Sequence, residues 1–174
     1  MKIIRQAKWT EMDAVAEIYE RIIEEEEQGK VTIGWKRDVY PTKATAAAAQ
    51  EKQELYVLED EGRIVAAMRL NQEQLPAYRD CQWEYPVADE QVMVMHTLVV
   101  DPAAGKHGYG KQMVAFYEQY AADHHCPSLR IDTNEKNVRA RALYQQLGYK
   151  EVGIVPCTFN GLAGVPLVCL EKMN

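Results

Sequence analysis

Leu98-Val99-Val100-Asp101-Pro102-Ala103-Ala104-Gly105-Lys106-His107-Gly108-Tyr109-Gly110-Lys111 is the stretch on which the reading of this chain turns. An apolar, β-type run breaks into a glycine-rich basic turn, and a helical pattern starts directly behind it. Such a junction aims several main-chain N–H groups and the positive end of a helix dipole at one spot. Gly108 and Gly110 carry no Cβ, so a ligand can come close to the backbone. Lys106, His107 and Lys111 add charge locally to a chain whose formal net charge is −6. A basic turn on an acidic protein points to a specific phosphate-bearing ligand, not to a nucleic-acid surface. The turn reads as an anion cradle.

Working outward, the rest of the chain reads as one mixed α/β domain. At 174 residues, with 47% hydrophobic and 26% charged content, it is large enough to bury a core unaided. No apolar run approaches the ~20 residues that cross a bilayer, and Met1 to Gln6 has no apolar signal core. Cys81, Cys126, Cys157 and Cys169 are scattered without metal-type spacing; they read as reduced thiols of a cytoplasmic protein.

The expected elements follow from periodicity. Residues 2–8 form a first strand, and Thr10 with Asp13 resembles a capping box. Val15, Ile18, Tyr19 and Ile22 fall at helical spacing, with an acidic run, Glu24 to Glu27, closing that helix before Gly29. The alanine-rich segment 42–53 is a second helix. Residues 54–59 and 63–70 make a hairpin around Asp60-Glu61-Gly62. Residues 71–91 show little periodicity and read as a long loop, whose length invites a functional assignment. Val92 to Val100 is a buried strand; Met113, Phe116, Tyr117, Tyr120 and Ala121 mark a third helix. A short strand at 129–133, a helix through Ala140, Leu143, Tyr144 and Leu147, and two last strands at 149–155 and 165–170 complete the order β α α β β β α β α β β.

The segment Leu98 to Lys111, followed by Asn137-Val138-Arg139-Ala140-Arg141-Ala142-Leu143-Tyr144 and Leu147-Gly148-Tyr149, resembles the GNAT superfamily of acetyl-CoA-dependent N-acetyltransferases. The element order resembles that fold across essentially the whole chain, 1–174, as a single N-acetyltransferase domain. The resemblance implies a three-layer α/β (mixed α+β) fold. Its central mixed, mostly antiparallel sheet of about seven strands would be flanked by four helices and splayed between the strands at 92–100 and 128–133. It implies acetyl-CoA as acyl donor, no metal, and a small-molecule or peptide amine as acceptor, with no nucleic acid or membrane partner; a homodimer stays open. By the same resemblance, the backbone of Leu98, Val99 and Val100 bonds the pantetheine arm. The amides of His107, Gly108, Tyr109, Gly110 and Lys111 hold the pyrophosphate, Asn137 bonds the cofactor arm, and Tyr144 is the general acid near the thioester sulfur. The family's turn usually opens with Arg or Gln; here Gly105 stands there, and Lys106 supplies the charge beside it.

Acetyl transfer to an amine needs a neutral amine, a stabilised oxyanion and a proton for the departing thiolate. His96 is the candidate base, because an unperturbed imidazole has a pKa near ~6.5 and strand alternation puts it on the face of Leu98. A buried, hydrogen-bonded strand histidine is the plain alternative. A backbone N–H near Leu98 or Val99 serves the oxyanion. Glu84, Asp89 and Glu90 are alternative bases or acceptor contacts. By spacing alone Tyr144 is a core residue and Asn137 a helix cap. Trp35, Tyr40, Tyr78, Trp83 and Tyr85 lie in or beside loops, and of these Trp35 and Trp83, with Glu84, are the candidates to contact the acceptor.

Competing signals are weaker. Gly105 to Lys111 nearly satisfies a P-loop, but Gln112 stands where a magnesium-binding hydroxyl belongs. Asp123-His124-His125-Cys126 has no zinc-type surroundings and fits a charge–dipole role at a helix end. A non-catalytic acyl-CoA-binding sensor, or a P-loop nucleotide-binding enzyme, remains the alternative to a transferase.

Overall fold

The computed structural model describes residues 1–159 and 161–174. Its strands are β1 (Lys2–Gln6), β2 (Leu55–Asp60), β3 (Arg63–Asn71), β4 (Val92–Val100), β5 (Ser128–Asn134), β6 (Lys150–Phe159) and β7 (Leu162–Met173). The helices are α1 (Met12–Glu27), α2 (Lys43–Glu51), α3 (Tyr109–Asp123) and α4 (Val138–Gln146). Among the described residues these seven strands form one mixed sheet in the order β1-β2-β3-β4-β5-β7-β6. The pairs β1–β2, β2–β3, β5–β7 and β6–β7 are antiparallel. The element order is the one the periodicity predicts. The chain divides into two compact units.

The first unit comprises Met1–Val31, Trp35–Leu70 and Met95–Tyr117. Val15, Ile18, Tyr19 and Ile22 bury the predicted face of α1, and Ile23 joins them. The expected Thr10–Asp13 capping box does not form. Instead the Glu11 carboxylate accepts the Lys8 N–H at 2.8 Å and is gripped by Arg5, which also bonds Glu59. Glu11 is thereby drawn to a single 3-10 turn at Trp9–Glu11, and α1 starts one residue later. α2 packs on α1, with Asp13 and Lys43 paired at 2.6 Å. The β2–β3 hairpin turns through Glu61 and Gly62, both left-handed (φ +48° and +76°), as a two-residue turn requires.

The second unit comprises Thr32–Gly34, Asn71–Val94 and Glu118–Asn174. Its core gathers Tyr78, Val92, Val94, Val155 and Leu167 around three of the four cysteines, Cys81, Cys157 and Cys169. All four cysteines are free and buried. The long 71–91 segment is not loose. Arg130 on β5 and Glu171 on β7 face each other in register and are both buried. The Arg130 guanidinium lies 4.1 Å over the Trp83 ring and donates to Gln74 Oε1 at 2.6 Å, while Glu171 accepts the Glu84 N–H. Burying a charged group is costly unless it is bonded, so these two side chains demand partners, and the 71–91 segment supplies them.

Candidate active site

In the first unit, β4 runs into the glycine turn and then into α3. Asp101 is buried at the end of β4, where its N–H donates to Val65 O at 2.8 Å. Its carboxylate caps the following 3-10 turn through the Ala103 N–H at 2.9 Å and accepts from Arg21 at 3.0 Å. These bonds fix where the turn begins. Gly105 and Gly108 are then left-handed (φ +78° and +70°), and Gly105 to Gly108 are exposed. A Cβ placed on Gly108 would meet nothing within 4 Å. Directly behind it stands a 15-residue helix whose first amides have no partner within the helix. Lys106, His107 and Lys111 are exposed around it. An open, basic helix entrance of this kind fits a pyrophosphate.

The structure divides the labour of the predicted turn residues. Tyr109 is buried and its hydroxyl donates to Asp60 Oδ2 at 2.7 Å, so its ring anchors the turn to β2. Only its amide is left for a ligand. Gln112 Nε2 donates to His107 O at 3.1 Å and braces the turn from inside the helix.

β4 departs from regular extension at one place. Thr97 has φ +51°, and its Oγ1 is hydrogen-bonded to the Tyr40 hydroxyl. Strict alternation of side chains is interrupted there, so the two-residue spacing of His96 and Leu98 does not by itself put them on one face. His96, Thr97 and Leu98 are all partly exposed, whereas Met93 to Met95 are buried. Trp35 packs edge-on against Tyr40, ring centroids 6.1 Å apart.

In the second unit, Asn137 caps α4, its Oδ1 accepting the Ala140 N–H at 3.2 Å. The capping reading of Asn137 is what the geometry displays. Tyr144 is buried on the same helix and sits edge-on to Tyr149. Burial, and then the negative charge of Asp132, push its phenol pKa well above the usual range. Asp132 is a residue that periodicity did not single out. Its carboxyl is held away from water, which raises its pKa to about 6, while the Tyr78 hydroxyl donating at 2.6 Å works the other way. In the sequence Asp132 is an acidic residue inside the short strand predicted at 129–133.

Of the acceptor candidates in the 71–91 segment, Trp83 packs against the core while Glu84 and Asp89 are exposed. Trp83 lies beneath Arg130 and donates its indole N–H to Tyr78 O at 2.8 Å. Glu84 is ion-paired with Lys150, and Asp89 accepts from Gln74 at 2.9 Å. His124 at the end of α3 stacks on Tyr120 and bonds its carbonyl at 2.7 Å, a local helix-end contact.

Residues 13–149 match the Acetyltransferase (GNAT) family. The chain belongs to that family. A relative by sequence is the uncharacterized N-acetyltransferase YhfO of Bacillus subtilis (strain 168), 26% identical over 150 residues, covering 85% of this chain and 89% of that one. By fold, the chain is similar to a GNAT-family acetyltransferase of Streptococcus agalactiae 2603 (TM-score 0.82, 20% identity, 99% and 95% of the two chains). It is also similar to yncA of Salmonella typhimurium, a putative acetyltransferase solved with acetyl-CoA (TM-score 0.69, 15% identity, 99% and 93%). Among the described residues no helix is long and apolar enough to cross a membrane.

Proposed function

We propose that this GNAT chain acts as a single domain, 1–174, that moves an acetyl group from acetyl-CoA directly to a primary amine of a small molecule or peptide. The observation that carries this reading is the open glycine turn at the mouth of α3, in a chain whose family match takes in both that turn and α4. Acetyl-CoA supplies an activated acetyl group as its thioester. The amides of His107 to Lys111, with Lys106 beside them, hold its pyrophosphate. The main chain of Leu98 to Val100 holds its arm like an added strand, with Asn137 as a further contact.

His96 takes the proton of the acceptor's ammonium form, directly or through water, and leaves the nitrogen lone pair free to attack; once the C–N bond has formed the nitrogen gives up its second proton, which restores the Tyr144 phenol. The new C–N bond forms as the C–S bond breaks, while an N–H at Leu98 or Val99 steadies the oxyanion between them. Tyr144 gives the proton that the leaving thiolate needs. Burial and a neighbouring carboxylate keep this phenol protonated before the transfer, and the developing thiolate draws the proton from it. Trp35, on the segment ahead of α2, is an aromatic candidate to contact the acceptor, with Trp83, whose indole N–H bonds Tyr78 O, and the exposed Glu84, paired with Lys150, as the others.

The test is free-thiol release from acetyl-CoA across a panel of amines, including peptides with free α-amino groups and lysine side chains. We expect turnover with at least one amine, and Tyr144→Phe to lower kcat by ~100-fold with little change in acetyl-CoA affinity. Acetyl-CoA binding without thiol release for any amine would instead make the chain a sensor, and wild-type turnover in Tyr144→Phe would remove Tyr144 as the acid.

A further inference from the structure

Five non-glycine residues among those described have positive φ: Asp38, Gln53, Glu61, Thr97 and His125. Four of them sit in turns, where a left-handed residue closes the chain. Thr97 alone lies within a strand, and it alone is β-branched. A second substituent on Cβ makes the left-handed region a true outlier, and a strained one. Such a conformation persists only where its surroundings impose it.

One contact in those surroundings is built on a small rigid frame. The Tyr40 hydroxyl bonds Thr97 Oγ1 across 57 residues of sequence. Tyr40 is itself fixed by a closed loop with Lys36, N–H to carbonyl in both directions at 3.1 and 3.0 Å. Trp35 stands edge-on against its ring. Pro41 behind it is buried, and Thr42 caps α2. The frame therefore joins the start of α2 to the middle of β4, between His96 and Leu98.

We propose that Tyr40 is a positioning residue: by gripping Thr97 in the left-handed conformation, its hydroxyl sets the direction of the peptide group that joins Thr97 to Leu98. A left-handed residue turns the peptide plane that follows it, so the Leu98 N–H is the group whose aim depends on this grip. That N–H is one of the two assigned above to the oxyanion, and the proposal rests on that transferase reading. Tyr40 touches neither donor nor acceptor in this scheme. It acts through Thr97.

The test is a double-mutant cycle. Tyr40→Phe deletes one hydroxyl and keeps the ring. We expect kcat to fall at least 10-fold, with the acetyl-CoA dissociation constant and the KM of the amine within twofold of wild type. Glycine adopts the left-handed region without the steric penalty, so in a Thr97→Gly background the Tyr40→Phe change should alter kcat by less than twofold. An equal loss in that background, or none in the Thr97 enzyme, overturns the proposal. So does an effect confined to the KM of the amine, which would make Tyr40 an acceptor contact.

Amide hydrogen exchange judges the grip without any turnover. Tyr40→Phe should speed exchange at Thr97 and Leu98 by 10-fold or more and leave Val57 and Leu58 on β2 unchanged. Unaltered exchange at Thr97 and Leu98 overturns the proposal. An inactive wild-type protein with the expected exchange pattern would overturn the transferase reading and, with it, the catalytic consequence, while leaving the mechanical link demonstrated.

Discussion

Asp132 carries a carboxyl that the second unit would rather keep neutral. Its native pKa of about 6 lies above the ~4 of a free aspartate, so between those values the folded chain binds more protons than the unfolded one. Its contribution to stability is therefore complete below about pH 4 and is lost as the pH rises through 6. Asp132→Asn keeps an acceptor for the Tyr78 hydroxyl and removes the charge. We expect the variant to be more stable than wild type at pH 8 by about 2 kcal/mol, with the gap shrinking toward pH 4. Urea unfolding at the two pH values measures it, and a gap independent of pH would show that the carboxyl is not the cause. The same charge helps keep the proton on Tyr144, so the variant also asks whether that help matters to turnover.

At the scale of elements, the strand–turn–helix junction was open to reading because its determinants are neighbours in sequence: an apolar run, glycines, basic residues and then a helical stripe. The stripes of α1 and α3 were legible for the same reason. What local windows hide are partners far along the chain. Thr97 meets Tyr40 57 residues away, and Asp132 meets Tyr78 54 residues away; no periodicity announces either. Length suggested a functional role for the 71–91 segment, but Arg130 and Glu171, on strands 41 residues apart in sequence, claim its side chains and main chain once they are buried. The Thr10 cap is displaced because Arg5 and the Lys8 N–H together hold the Glu11 carboxylate in a 3-10 turn ahead of α1. The junction itself yields a direct prediction. Gly108→Val must force a branched side chain into φ +70° at a spot where the chain leaves open space. We expect calorimetry to show acetyl-CoA affinity reduced at least 10-fold, a change of about 1.4 kcal/mol. An unchanged affinity would mean that the diphosphate is held elsewhere.

At the scale of the whole molecule, the family match takes in residues of both units, and the boundary between them falls inside β4, between Val94 and Met95. The fold was recognised from two motifs, Leu98 to Lys111 and Asn137 to Tyr149, with the succession of strands and helices as a global pattern in agreement. The cysteines lead to a different kind of consequence. None is exposed, three share one apolar cluster, and burial raises the thiol pKa of all four. Thiolates are the reactive species, so a chromogenic disulfide mixed with the native protein should stay colourless for many minutes and develop fully only in denaturant. Any colour appearing during catalysis then comes from liberated coenzyme, and in the absence of substrate the same reagent becomes a clock for spontaneous opening of the second unit. An immediate burst from native protein would mean that this cluster breathes far more freely than its packing suggests.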